Sequence, residues 1–126
     1  MLKFGFEKFL AASLLLALLS GQTKATVSHV VFIWAKNDTD KEQIIAMIDR
    51  AEMLSTIVEV KSIAVGTAVP SDRSNVDDSY DVGITLTFDS VAAMQAYLVH
   101  PQHIEYVSVY VKPYAQTVLV YDIEHN

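Results

Sequence analysis

Residues 80–88 (YDVGITLTF) alternate strictly, with Tyr80, Val82, Ile84, Leu86 and Phe88 on one side and Asp81, Gly83, Thr85 and Thr87 on the other. A period of two is that of a β-strand with one buried face. Residues 29–36 (HVVFIWAK) are also short, β-branched and aromatic, but apolar on both alternating faces: Val31, Ile33 and Ala35 on one, Val30, Phe32 and Trp34 on the other. Such a strand is covered on both sides. Helices of the same chain can supply one layer, and the chain is too short for a second, so the pattern predicts a partner subunit. Residues 58–69 (VEVKSIAVGTAV), closed by Pro70, and 117–123 (TVLVYDI) read as two further strands.

Between the strands the period changes. Ile44, Ile45, Ile48, Ala51 and Leu54 recur at helical spacing among charged residues, which predicts an amphipathic helix over 40–55. Thr39 followed by Glu42 reads as its capping box. Asp89 and Ser90 introduce a second helix over 91–99, carrying Met94, Tyr97 and Leu98. Pro101 suits the first turn of a new helical piece, where its missing N–H is not needed, and that piece runs over 102–111 and stops before Pro113. The order β-α-β-β-α-β is the ferredoxin-like pattern of an α+β fold: a four-stranded antiparallel sheet with both helices on one face. Two such sheets, meeting through their open faces, form a homodimeric α+β barrel.

Residues 1–25 follow a different rule. Lys3 and Lys8 precede an apolar run over 9–19 (FLAASLLLALL), and small residues lead to Ala25, the order of a secretory signal peptide. The run is short of the roughly 20 residues that span a bilayer. The expectation is cleavage after Ala25, a domain over 26–126, and a periplasmic or secreted product without stable membrane association. The whole chain has formal charge −6, and losing Lys3, Lys8 and Lys24 against Glu7 alone makes the remainder more acidic. An acidic surface does not suit the phosphate backbone of nucleic acid. With no Cys there is neither a disulfide framework nor a thiolate nucleophile.

Candidate chemistry concentrates in Tyr97-Leu98-Val99-His100-Pro101-Gln102-His103. A neutral His can act as general base, and a Tyr hydroxyl can hold a carbonyl oxygen or a developing enolate. A helix junction would bring Tyr97 and His103 to one cavity beside the strand face of His29, Val31 and Ile33. His100, just before Pro101, suits a capping role. His100 and His103 lack a third ligand for a metal, and the acidic Asp77, Asp78 and Asp81 read as a solvated loop. No Gly-rich phosphate loop is present, so no cofactor is expected.

The segments His29-Val30-Val31, Tyr80 with Leu86-Thr87-Phe88, Ala96 through His103, and Val118 through Asp122 resemble the stress-responsive A/B barrel (Dabb) family. The resemblance spans residues 29–124. It implies a ferredoxin-like domain that forms a homodimeric α+β barrel. Some members are plant stress proteins without a settled activity, and a few are enzymes. A plant polyketide cyclase of the family, which works without metal or organic cofactor, would place its catalytic tyrosine and histidine on Tyr97 and His103 and a pocket histidine on His29. Another of its pocket histidines falls on Val82. The expected function is therefore an exported homodimer that binds a small apolar or carbonyl-containing ligand. Its alternatives are a cofactor-independent cyclase or lyase using His103 and Tyr97, and, last, a monooxygenase-like dimeric barrel.

Overall fold

A computed structural model describes residues 25–126 of the chain. The expected signal peptide, apart from its last position Ala25, lies outside the described residues. The strands are β1 (Thr26–Ala35), β2 (Ser62–Gly66), β3 (Val82–Phe88) and β4 (Ala115–His125). The helices are α1 (Lys41–Glu52), extended by a 3₁₀ turn (Met53–Thr56), α2 (Val91–Leu98) and α3 (Pro101–Tyr106), which widens into a π-helical turn (Val107–Val111). The strands lie in the order β2-β3-β1-β4, every neighbouring pair antiparallel. This is the ferredoxin-like order, and the sheet is open, with β2 and β4 as its edges.

Register decides what each face carries. β1 and β3 pair Val27 with Phe88, His29 with Leu86, Val31 with Ile84 and Ile33 with Val82. Opposed residues of a ladder share a face, so this row looks toward the helices. Met47 and Ala51 of α1, Leu54, Met94 and Tyr97 of α2, Tyr106 and Val111 close over it to form the core. The other face carries Val30, Phe32 and Trp34 of β1 beside Leu119 and Tyr121 of β4. No helix of the described residues covers it: Leu119 is 40% exposed and Tyr121 54%. Tyr80 folds over this open face, its ring 4.8 Å from that of Phe32 and against Gly83, where an added Cβ would lie 3.1 Å from Tyr80 Cε2. A side chain at position 83 would push that ring away.

The strands read over 29–36, 80–88 and 117–123 occupy Thr26–Ala35, Val82–Phe88 and Ala115–His125, and three further differences from the pattern-based expectation bear on the site. The cap of α1 is Asp40, not Thr39: the Asp40 N–H donates to Gln43 Oε1 at 3.0 Å, while the Thr39 hydroxyl turns to the Tyr114 carbonyl. The second strand shortens from 58–69 to Ser62–Gly66, the residues that pair with Gly83 to Thr87 of β3. Val58 and Val69, beyond that ladder, are 90% and 78% exposed. The helical piece over 102–111 loosens at its end, where the Lys112 N–H donates to the Val107 carbonyl five residues back, at 2.8 Å.

The helix layer is pinned by a buried hydrogen bond, in which the Tyr106 hydroxyl donates to the Met47 carbonyl at 2.9 Å, joining α3 to α1. Burial pushes the Tyr106 phenol far above its ordinary pKa, so it remains a donor. Tyr106→Phe leaves the Met47 carbonyl without this partner, and denaturant unfolding should register a loss of about 1–2 kcal/mol. An unchanged midpoint would mean that the bond contributes nothing to stability.

Candidate functional site

A cavity of about 360 Å³ lies between the helix-facing side of the sheet and the α2–α3 layer. The sheet contributes His29, Val31, Ile33, Ile84 and Leu86. The helix layer contributes Tyr97, His103, Tyr106, Val107 and Val111. Lys112, Ala115, Gln116, Thr117 and Val118 complete the wall toward solvent. Most of this lining is hydrocarbon, and the imidazoles of His29 and His103 and the phenol of Tyr97 converge at one end of it.

The α2–α3 junction sets that end. Ser90 caps α2, its Oγ accepting from the Ala93 N–H at 3.1 Å. Eight residues later the chain turns, and His100 caps α3, its Nδ1 accepting from the Gln102 N–H at 3.1 Å with Pro101 in the first turn. The Gln102 side-chain amide donates to the Met53 carbonyl at 3.1 Å and to Thr56 Oγ1 at 2.9 Å, tying the start of α3 to the 3₁₀ turn. His100 is thus a structural residue, and the junction it caps brings the Tyr97 and His103 rings to 4.5 Å between centroids.

His103 Nδ1 lies 3.0 Å from the Leu98 carbonyl oxygen. That oxygen has no proton to give, so Nδ1 donates, and the neutral ring keeps a basic lone pair on Nε2. Burial is the main influence holding the His103 pKa below the ordinary 6.5; the Leu98 contact opposes it, and His29 and His100 lower it slightly further. Tyr97 is 2% exposed, and burial pushes its phenol far above the ordinary value. It is therefore a neutral donor at any ordinary pH. Its ring packs 5.0 Å from Phe88 and 6.1 Å from His29. His29 Nδ1 meets Asp122 Oδ1 at 2.5 Å, and the carboxylate accepts. The imidazole is buried and the Asp122 side chain is 43% exposed, so the dyad runs from the cavity to the surface of β4.

The structure thus gathers His103, Tyr97, His29, Val31 and Ile33 around one cavity. Val82, also expected among the ligand-binding residues, is not in the wall of this cavity: it is fully buried in the core opposite Ile33, at the start of β3. Asp122 is a site residue that motif reading passes over. Its signal is an acid at a helix-facing position of β4, in line with Val118 and Val120. The acidic loop spends its carboxylates locally: Asp77 accepts from Ser79, Asp78 from the Ser71 N–H and Asp81 from the Ala35 N–H. Among the described residues no group of three or more His, Asp or Glu is placed to hold a metal ion. Chemically, this end of the cavity offers a neutral base beside a phenol donor, within an apolar wall.

Because folding lowers the His103 pKa, the unfolded chain binds more protons than the folded one in the window just below 6.5. Stability therefore falls as pH drops through that window and is fully present above it. Unfolding titrations of wild type and His103→Asn should show this slope in the wild type and a smaller one in the variant. Equal slopes would place the His103 pKa at its ordinary value.

The sequence model of the stress responsive A/B barrel domain (Dabb) family matches residues 27–125. No curated protein gives a significant sequence match. Among solved structures, the chain is similar to the hydroxynitrile lyase of Passiflora edulis, with 22% identity, TM-score 0.71, and coverage of 83% of this chain and 96% of that one. It is similar to a protein of Arabidopsis thaliana at 27% identity and TM-score 0.68, covering 79% of this chain and 95% of that one. It is also similar to a dimeric ferredoxin-like protein of unknown function from Thermobifida fusca at 19% identity and TM-score 0.66, covering 79% and 91%.

Proposed function

This chain belongs to the stress responsive A/B barrel domain (Dabb) family, and from that premise we propose that it binds a small carbonyl or hydroxy compound in the cavity and moves a proton on it. One observation carries the reading: His103 Nδ1 is committed to the Leu98 carbonyl, so a neutral ring presents Nε2 as its base, beside the Tyr97 phenol in the same apolar cavity. A general base works best with a pKa near or below the working pH, and an apolar wall strengthens each hydrogen bond to the reacting oxygen.

For a β-hydroxy carbonyl compound or a cyanohydrin the step is a retro-addition, whose leaving carbanion is an enolate or cyanide. His103 Nε2 takes the hydroxyl proton, the oxygen's electron pair forms the carbonyl, and the carbon–carbon bond breaks with its pair on the leaving carbanion. Tyr97 holds the oxygen as charge develops on it. The proton then passes from His103 to the leaving carbon. The reverse sequence is an aldol-type addition or ring closure, and neither direction requires a cofactor. His29, tied by Nδ1 to Asp122, leaves its own Nε2 for a second contact to the ligand. The hydroxynitrile lyase of Passiflora edulis lends the lyase direction some support. A non-catalytic ligand-binding role for the same cavity is the second reading, favoured by the preponderance of hydrocarbon in its wall.

The test is turnover of a panel of aromatic β-hydroxy ketones and cyanohydrins. His103→Asn and Tyr97→Phe should each lower kcat/KM by about 100-fold or more. The wild-type profile should rise with pH along an apparent pKa below 6.5. Wild-type turnover that survives in folded His103→Asn removes His103 as the base; ligand binding with no turnover in the wild type leaves the binding role.

We also propose that the functional unit is a homodimer whose open sheet faces meet, covering Phe32, Trp34, Leu119 and Tyr121, with the Thermobifida fusca structure as a dimeric example of this fold. Light scattering should give twice the chain mass at micromolar concentration, and Phe32→Lys should halve it. A monomer mass for the wild type rejects the dimer. Export through residues 1–25 remains part of the proposal; a mature N-terminus at residue 26 in a periplasmic or culture-medium fraction is its expected readout.

A further inference from the structure

The cavity has a second polar end. β4 runs along β1 with Asp122 opposite His29 and Val118 opposite Ile33, and the Lys36 N–H donates to the Tyr114 carbonyl. Lys112, two residues before Tyr114, therefore stands at the Ile33 end of the cavity, away from His29. Two rulers give the separation. His29 to Ile33 along the strand is about 13 Å. His103 to Lys112 along α3 and its π-helical turn is also about 13 Å at helical rise. Between the ends the wall is hydrocarbon from Val31, Ile84, Val107 and Val111.

Charge is distributed unequally along this length. The His29 end carries the Asp122 carboxylate. The other end carries Lys112, exposed and outside the ion pairs of the described residues, together with Lys36, whose Nζ donates to the Pro113 carbonyl at 3.1 Å. In a chain of formal charge −6, Lys112 in the wall at this end of an apolar cavity is a local attraction for anions, with the Asp81 carboxylate at the same end of β1 held by the Ala35 N–H. We propose that Lys112 is a specificity-determining residue and that the ligand is an elongated carbonyl compound with an anionic tail. Its carbonyl meets the polar atoms of Tyr97 and His103, its apolar body lies along Val31 and Val107, and its carboxylate meets Lys112. The Asp122 carboxylate disfavours the reversed orientation. This inference rests on the proposed function for the head-group end and adds the substrate class.

The experiment compares three probes by calorimetry: para-acetylbenzoate, its ortho isomer and neutral acetophenone. Para-acetylbenzoate should bind wild type about fivefold more tightly than acetophenone, a margin that added salt reduces. The ortho isomer has the same charge but cannot place the two groups at opposite ends, and should gain nothing. Lys112→Gln should abolish the para advantage, bringing the ratio of para-acetylbenzoate to acetophenone affinity to about one. The Lys112 backbone contact to Val107 does not depend on its side chain, so the variant should fold. Equal affinity for para-acetylbenzoate and acetophenone in wild type, or a para advantage that survives Lys112→Gln, overturns the inference while leaving the head-group reading intact. If no probe binds, or if binding is indifferent to both Tyr97→Phe and His103→Asn, the reading of the cavity itself fails and this inference falls with it.

Discussion

The pairing of β1 with its two neighbours is the constraint from which the site follows. β1 lies between β3 and β4, and a slip of one residue against either would turn every side chain of the slipped strand to the opposite face. The observed register sets Val27, His29, Val31 and Ile33 toward the helices and lays Asp122 directly across from His29. It also supplies His29 with its carboxylate partner, without which a buried imidazole would leave a donor unmet. The same register sends Phe32 and Trp34 to the uncovered face, so one choice of alignment establishes both the cavity wall and the exposed apolar surface.

The helix layer solves a different problem, the placement of two rings from consecutive helices. A continuous helix would carry Tyr97 and His103 six residues apart, on widely separated faces of one cylinder. The break at Val99 and His100 restarts the helix, and Pro101, the His100 cap and the Gln102 contacts to Met53 and Thr56 hold the new direction. The two rings thereby come to lie against each other. Tyr106, one turn further along, fastens this arrangement to α1 through the Met47 carbonyl.

Burial then converts these positions into chemistry. The same desolvation lowers the His103 pKa and raises that of Tyr97, because it disfavours imidazolium and phenolate alike. Both groups are kept neutral, one with a free lone pair and the other with a proton to share. The Leu98 carbonyl selects the tautomer that leaves Nε2 basic. Water excluded by Val31, Leu86 and Val107 is water that cannot compete for those two atoms.

Much of this is legible in the chain. Alternation over residues 80–88 and the two-faced run at 29–36 predict the strands, Pro101 predicts the helix restart, and the β-α-β-β-α-β order leads to the ferredoxin-like sheet. His29, Tyr97 and His103 are identifiable as candidates because their side chains are chemically distinctive. The extent of the second strand was not legible: alternation persists through Val58 and Val69, but a strand extends only as far as it is paired, and here pairing with β3 stops at Ser62 and Gly66. Thr39 and Asp40 are both competent caps, and only the path of the chain past Tyr114 diverts Thr39. Val82 and Ile84 are indistinguishable in pattern, yet one is sealed in the core and the other faces the cavity, because the helix layer does not cover the sheet evenly. Asp122 and Lys112 acquire meaning only through neighbours far away in sequence. The local sequence determined periodicity, caps and candidate chemistry, since these depend on residues within a turn or two. Tertiary structure decided which of them share a cavity, because that depends on strand register and helix packing, which bring together positions as distant as His29 and Asp122.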